Sequence, residues 1–351
     1  MNPRTIRLAA GNIRNIAAEQ LYLKTGIFLA KPIQIYAIIN TKCNARCRMC
    51  TCWRNNSDDE LPASIWIRAL KELKELSSTF NVSFSGGEPL MKKDLYEILE
   101  FCKEQNITFG VTTNGLLLNE KNVQRLLNCN VFNINISIDS MIDEIHDSIR
   151  GVPGCLAKVK KNVEYLVEQK RKTGSRVSIM MKPVVCSENL PDLQKLAEYA
   201  KDIGIAGVQF QPIFEWSEES KQMTNVDPGL LKDMIDRLIE MKAEGYPILN
   251  SELTIRQWTD HFTGKLPERT SPCVVGLRSL TIKQDGEVVL CGVCNAYIGN
   301  IKDSSVGDLW YGEKTKKIRA ALVKCDRLCL ASCVVKRRFR DYVDLFRRLG
   351  R

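Results

Sequence analysis

The sequence has no apolar run long enough to cross a bilayer. Its longest apolar stretch near the N-terminus, GIFLAKPIQIYAIIN, is interrupted by Lys31 and Pro32 before reaching the roughly 20 residues a spanning helix needs. The opening MNPRTIRLAAGNIRNI has neither a long apolar core nor a small-residue cleavage site, so no secretory signal is read and a cytoplasmic location is expected. There is no internal repeat and no low-complexity tract. Net positive charge is scarce outside the two ends. The net charge is +10, but residues 1–32 hold five Lys/Arg against one Glu, and residues 336–351 hold seven Lys/Arg against two acids. The remainder is nearly neutral, whereas a nucleic-acid enzyme spreads basic charge over its working face, so no nucleic-acid partner is expected.

The chain does have bulk and cysteine. With 351 residues, 44% of them hydrophobic and 26% charged, it can bury a sizeable core. Fourteen cysteines in a chain without a secretory signal argue against a disulfide framework, because the cytosol keeps thiols reduced. Metal or redox chemistry leads instead. Ten of the fourteen fall into two groups, Cys43, Cys47, Cys50 and Cys52, then Cys273, Cys291, Cys294, Cys325, Cys329 and Cys333. Cys102, Cys129, Cys155 and Cys186 read as small apolar residues.

From Ile33 to about residue 212, β-rich runs alternate with helix-period stretches. IQIYAIIN, NVSFSG, ITFGVTTN, VFNINISID, RVSIMMKPVV and GVQFQPI are separated by segments such as ASIWIRALKELKEL and LAKVKKNVEYLVEQ. This pattern predicts an α/β fold with a parallel sheet, open or curled into a partial barrel. Its strands are expected to be buried on both faces, with functional groups at their C-terminal ends. TKCNARCRMC, GGEP, TNG and DS follow the first four strands. Residues 227–243 read as a further helix and 247–272 as a bridge. RSLTIKQDGEVVL, turning at Asp285-Gly286, reads as a hairpin pinned by metal.

Cys43, Cys47 and Cys50, spaced C-x3-C-x2-C, can wrap three thiolates around one compact centre and leave a fourth position open. A zinc site completed by Cys52 is the plainer alternative. With the motifs that follow, this spacing resembles the radical S-adenosylmethionine superfamily. That resemblance implies a partial (β/α)6 TIM-like barrel and a [4Fe-4S] cluster on the three thiolates. The free iron would be chelated by S-adenosylmethionine, whose reductive cleavage gives a 5'-deoxyadenosyl radical that abstracts hydrogen from an unreactive carbon. By resemblance, Met49 lies near the adenine, while Gly86, Gly87 and Glu88 end the strand that receives the methionyl amine. Asn114, Ser137 and Asp139 lie at the next two strand ends, the latter two near the ribose or methionyl part. The segment HDSIRG is similar to a stretch in members with a C-terminal auxiliary-cluster domain. Arg150 is its residue placed to meet a carboxylate, and His146 reads as a supporting residue.

Cys273, Gly286 and Cys291, spaced C-x12-G-x4-C, resemble the opening of the domains called SPASM or Twitch, which carry auxiliary iron-sulfur clusters. A hairpin about the glycine would set two thiolates side by side. Six thiols suffice for one four-cysteine cluster, expected as [4Fe-4S], but not for two. Cys273 and Cys291 are expected ligands, completed from Cys325, Cys329 and Cys333, with Cys294 as substitute or free thiol. A zinc ribbon is the plainer alternative.

The expected organisation is a basic helical extension over 1–32, a barrel over 33–225 and bridging helices over 226–270. A small metal-pinned hairpin domain follows over 271–335, then a basic amphipathic helix over 336–351. The terminal helices are expected to pack on the domain with a solvated charged face, peripheral membrane contact being the less favoured reading. Only 32 residues precede the first strand, against about 80 for the recognition module of many peptide-modifying relatives. The substrate is expected to be a peptide or other natural-product precursor, with oxidation, epimerisation or crosslinking as the outcome. A carbohydrate, aminocyclitol or lipid dehydrogenase is the first alternative, and a zinc-holding interaction protein the second. Cys186 and Cys294 are candidate hydrogen donors, and a flavodoxin- or ferredoxin-type protein is the expected electron donor.

Overall fold

A computed structural model describes residues 3–55, 57–268, 271–327 and 329–330. Cys333 and the segment 336–351 lie outside the described residues. The chain forms β1 (Gln34–Ile38), β2 (Asn81–Ser85), β3 (Thr108–Thr113), β4 (Asn133–Ile136), β5 (Ser178–Met181), β6 (Val184–Val185), β7 (Gly207–Val208), β8 (Gln211–Pro212), β9 (Ser279–Ile282), β10 (Glu287–Val289) and β11 (Tyr297–Asn300). Nine of these form one sheet in the order β11-β10-β9-β1-β2-β3-β4-β5-β7, and β6 pairs with β8. Pairing from β9 through β1 to β7 is parallel. The fifth and sixth expected strands each appear in two pieces, because Pro183 has no N–H to donate. Their ladder still runs on, since the Gln211 N–H donates to Pro183 O at 3.0 Å and the Ile213 N–H to Val185 O at 2.9 Å.

Helices cover the outer face of this curled sheet, in the manner of a partial (β/α)6 barrel. The first, Ala63–Leu76, buries Trp66, Ala69, Leu70 and Leu73, the i, i+3, i+4, i+7 stripe that seats a helix on a sheet. One expectation needs correction. β1 and β2 are not buried on both faces: Ile35, Ala37, Val82 and Phe84 point into the helix layer, while Gln34, Tyr36, Asn81 and Ser83 alternate with them and are half-buried. The strand period of two divides a dry outer layer from a polar concave face.

The C-terminal hairpin is continuous with the barrel sheet. β9 lies parallel to β1, with Gln34 opposite Ser279, and β10 turns back antiparallel. Its turn needs Gly286, whose φ is +90°, a region that a side chain disfavours. Trp310 and Phe28 tie this region to the N-terminal linker. The Trp310 indole donates to Ala30 O at 3.1 Å, and the buried Arg319 guanidinium lies 3.6 Å over the Phe28 ring.

The N-terminal helix Pro3–Thr25 crosses the N-terminal edge of the sheet. Arg4 donates to Asn130 O at 2.7 Å ahead of β4, Gly11 packs on Thr79 ahead of β2, and Glu19 pairs with Arg278 ahead of β9. Among the described residues no helix is long and apolar enough to cross a membrane.

Candidate functional site

The opposite edge of the sheet carries the first cysteine group. After β1 the chain leaves the sheet as a loop holding Cys43, Cys47 and Cys50, and two neighbouring elements grip that loop through backbone contacts. From the β2 side, the Gly87 N–H donates to Asn40 O at 2.9 Å and the Glu88 N–H to Lys42 O at 2.8 Å. A Cβ on Gly87 would stand 2.2 Å from Lys42 O, and one on Gly86 2.3 Å from Asn40 O. The two glycines therefore let the loop close onto the strand end. From the other side, the C-terminal turn of helix Asp143–Arg150 accepts the Arg46 N–H at Arg150 O and the Arg48 N–H at Ile149 O, both at 3.0 Å.

Glu88 is fully buried, and its carboxylate accepts from Leu90 N at 3.1 Å, Thr113 Oγ1 at 2.8 Å and Asn114 N at 2.8 Å. Burial pushes it up to about 7 against the pull of these donors. It braces the end of β3 from inside. Asn114, so positioned, turns its amide toward Asn44 Oδ1 at 2.7 Å and Cys43 Sγ at 3.8 Å. Ser137, half-buried at the end of β4, is fixed by its N–H to Thr113 O at 3.0 Å.

Asp139 has no exposure. Its Oδ1 accepts from Val184 N at 2.8 Å, and its Oδ2 lies 2.6 Å from Arg150 Nε. Arg150 reaches onward, with Nη1 at 3.7 Å from Cys47 Sγ. Burial opposes a charge on this guanidinium, but Asp139 and Cys47 outweigh it and hold its pKa above the ordinary arginine value. Arg150 thus meets a carboxylate, that of Asp139. His146 accepts the Asp139 N–H at Nδ1, 3.1 Å, so its proton sits on Nε2. Burial lowers its pKa to about 4.

Met49, Cys47 and Cys186 belong to one small apolar cluster with Ala45, Ile149, Ile213 and Met223. Cys186 is 1% exposed, its thiol is 3.5 Å from Asn189 Oδ1, and burial pushes it up to about 11. Burial likewise raises Cys43 and Cys47, and takes Cys52 up to about 12 with Cys50 and Cys43 beside it. Three soft thiols, each with an N–H donor directed at it, from Ala45 and Asn114 to Cys43, from Arg150 to Cys47 and from the Cys52 backbone to Cys50, suit a thiolate-held iron-sulfur centre. Among the described residues the buried Asn40 Oδ1 has no partner, and it faces the Gly86 turn, an acceptor left over for a cofactor's N–H or O–H.

The second cysteine group gathers at the far edge. Cys291 and Cys325 are electrostatic neighbours of both Cys294 and Cys329, and Cys273 is a further neighbour of Cys329. Cys273 is buried, Cys291, Cys325 and Cys329 are half-buried, and Cys294 is exposed. Burial first, then Cys291, pushes Cys294 up to about 12. Charge interactions thus link five thiols, although among the described residues no three of them stand close enough to hold a metal ion, and Cys333 is outside the described residues.

Several residues at the site were not singled out from the sequence. The Trp53 indole donates to Cys47 O at 3.1 Å, with the Arg46 and Arg54 guanidinium groups 5.2 and 5.0 Å from its ring. Arg48 pairs with Glu188 at 2.8 Å and Arg54 with Glu219 at 2.9 Å, anchoring the cysteine loop to segments beyond β6 and β8. Asn189 donates to Asp139 O at 2.7 Å and to Val184 O at 2.8 Å. An aromatic residue and arginines packed around the last cysteine were the available signal, but their acidic partners lie more than a hundred residues away.

Comparison with known proteins identifies two regions of the chain. Residues 37–203 match the radical SAM superfamily, and residues 273–334 match SPASM, an iron-sulfur cluster-binding domain. An AdoMet-dependent heme synthase of Oleidesulfovibrio alaskensis is 22% identical over 306 residues, covering 78% of this chain and 72% of the relative. A PqqA peptide cyclase of Granulibacter bethesdensis is 24% identical over 295 residues, covering 80% and 74%. Streptococcus suis SuiB, solved with its precursor peptide SuiA, superposes with a TM-score of 0.69 at 18% identity, covering 88% of this chain and 71% of that one. These matches decide between iron-sulfur and structural zinc for the family. The chain belongs to the radical S-adenosylmethionine superfamily, with a C-terminal SPASM domain, and its family implies a [4Fe-4S] cluster, S-adenosylmethionine and auxiliary iron-sulfur clusters.

Proposed function

We propose that this enzyme modifies a peptide, abstracting hydrogen from one of its C–H bonds. The cluster, when bound, supplies the electron that cleaves S-adenosylmethionine to the 5'-deoxyadenosyl radical. Cys43, Cys47 and Cys50 hold it, and Arg150, fixed by Asp139, presents N–H to Cys47 and so favours the thiolate. Asn114 does the same for Cys43. Gly86, Gly87, Ser137 and Met49 surround the remaining space for the cofactor, with the loose Asn40 Oδ1 as an acceptor inside it. Glu88 keeps the β3 end in place rather than offering a free carboxylate, since both its oxygens are already bonded.

One observation carries the peptide reading. The concave face of the sheet is lined by Gln34, Tyr36, Asn81 and Ser83, donors and acceptors suited to backbone amides, and the PqqA peptide cyclase and peptide-bound SuiB are among the similar proteins. Residues 33–225 serve as the catalytic barrel, 226–270 as a bridge and 271–335 as the auxiliary unit. Cys273, Cys291, Cys325 and Cys329 hold one auxiliary cluster there, with Cys294 as the additional thiol. Electrons come from a flavodoxin- or ferredoxin-type donor. Cys186, packed with Cys47 and Met49, is the candidate thiol for returning a hydrogen if the outcome is epimerisation.

Anaerobically reconstituted protein should form 5'-deoxyadenosine with a reductant, and a candidate peptide should change mass. Deuterium taken from heavy water into an otherwise unchanged peptide indicates epimerisation, and a loss of two hydrogens indicates oxidation or crosslinking. Turnover of a small non-peptide substrate with no peptide accepted would overturn the peptide assignment and leave the radical chemistry intact.

A further inference from the structure

The N-terminal helix exposes its isoleucines and buries its one acid. The face it turns to the barrel holds Thr5, Asn15 and Glu19, all less than 5% exposed, together with Gly11 and the half-buried Leu8, Tyr22 and Leu23. Asn15 bonds Glu19 and the Lys31 N–H, and Glu19 pairs with Arg278. The face it turns to solvent carries Ile6 at 51%, Ile13 at 64% and Ile16 at 36% exposure, followed by Ile27 at 54% and Leu29 at 58%. A helix that only packed on its domain would bury these isoleucines and expose the Asn and Glu. Beside the apolar strip, Arg7, Arg14 and Lys24 are exposed, and the helix's single acid, Glu19, is the buried one.

A cleft of about 540 Å³ opens beside the start of the helix, lined by Arg4, Asn130, Thr173, Ser175 and Arg176 among others, with no acidic residue in its wall. Lys170, Arg171 and Lys172, the last turn of the helix ahead of β5, stand on the same edge, Lys172 being paired with Glu168 at 2.6 Å. Apolar side chains flanked along the helix by cations, next to a cationic cleft of headgroup size, complement one kind of surface. We propose that this edge of the protein docks on an anionic phospholipid membrane, with Ile6, Ile13 and Ile16 entering the acyl boundary and the Arg4/Arg176 cleft receiving a lipid phosphate. The segment 336–351 does not suit this face, because its own net charge is +5. The docking edge holds the N-terminal ends of the strands and the cysteine loop lies at the C-terminal ends, so the candidate active site points away from the bilayer and is left open to its substrate.

Full-length reconstituted protein would be sedimented with phosphatidylcholine vesicles, with and without phosphatidylglycerol. Binding should require phosphatidylglycerol, weaken with added salt, and fall about tenfold or more in an Ile6→Glu/Ile13→Glu variant, with Arg7→Glu also weakening it. Both variants should keep a cooperative melt and wild-type 5'-deoxyadenosine formation, since neither position is near the cofactor site. Absence of binding to either vesicle overturns the proposal. Undiminished binding by the double variant does so as well, assigning the lipid contact elsewhere. A change of oligomeric state in that variant without vesicle binding overturns it in favour of a face that pairs two copies of the chain.

Discussion

Arg150 places its Nη1 3.7 Å from Cys47 Sγ, so a residue read from sequence as a partner for a carboxylate also touches a cysteine of the loop 103 residues earlier. The same residue's carbonyl accepts the Arg46 N–H. Side chain and backbone of one arginine therefore hold one turn of the cysteine loop, and Asp139 holds the arginine.

Replacing Arg150 with Met should leave Asp139 buried without its ion-pair partner, costing about 3–5 kcal/mol. Loss of the donor to Cys47 should lower iron affinity or cofactor cleavage by about 10–100-fold. Arg150→Lys keeps the charge but not the fork that spans both partners, and should recover stability better than activity. Thermal melts, iron content and 5'-deoxyadenosine yield separate these effects, and equal recovery of all three by lysine would argue against the bridging role.

Gly87→Ala and Gly151→Ala should each push the cysteine loop off its supports. The added methyl would meet Lys42 O at 2.2 Å in the first and Arg46 O at 2.5 Å in the second, where φ is also +63°. Backbone cannot yield as a flexible side chain does, so a destabilisation of about 1–3 kcal/mol is expected for each, with reduced iron loading. Gly154→Ala is the control for left-handed strain without a clash, since nothing lies within 4 Å of its Cβ position and its φ is +70°. It should load iron normally.

The two cysteine groups should fail differently. Cys47→Ala should abolish 5'-deoxyadenosine formation, whereas a Cys273→Ala/Cys291→Ala double variant should retain some uncoupled cleavage while losing product, provided it still melts cooperatively. Product from the double variant would remove the auxiliary assignment, and cleavage by Cys47→Ala would remove the central one.

His146 makes stability depend on pH in acid. Its folded pKa of about 4 lies below the ordinary 6.5, so the unfolded chain takes up the proton first and stability is lost as pH falls from 6.5 toward 4. A shift of that size corresponds to about 3 kcal/mol at full development. His146→Gln should be less stable than wild type near neutrality, because the acceptor for Asp139 N–H is disturbed. The gap should close as pH drops through that window, measured by urea unfolding of the metal-free proteins. A gap independent of pH would show that the imidazole does not titrate with folding.

The alternation of strand and helix, the parallel barrel, the position of three cysteines after the first strand and the hairpin about Gly286 were all legible in the sequence, because each depends on local periodicity, turn chemistry or short spacing. Membership of the superfamily rested on the same short-range patterns. Burial of the strands was legible only in part, since a period of two tells that faces differ but not that the concave one is left half-open. What tertiary structure alone decided were the long-range pairings: Arg150 with Cys47, Arg48 with Glu188, Arg54 with Glu219, and Glu88 with the β3 end rather than with open space. It also decided which way the first helix faces. Sequence spacing shows two unlike faces on that helix, but which one is buried depends on what the barrel offers, and Arg278 and the Lys31 N–H at its rim draw the polar face inward because a buried donor left unsatisfied costs more than an exposed isoleucine.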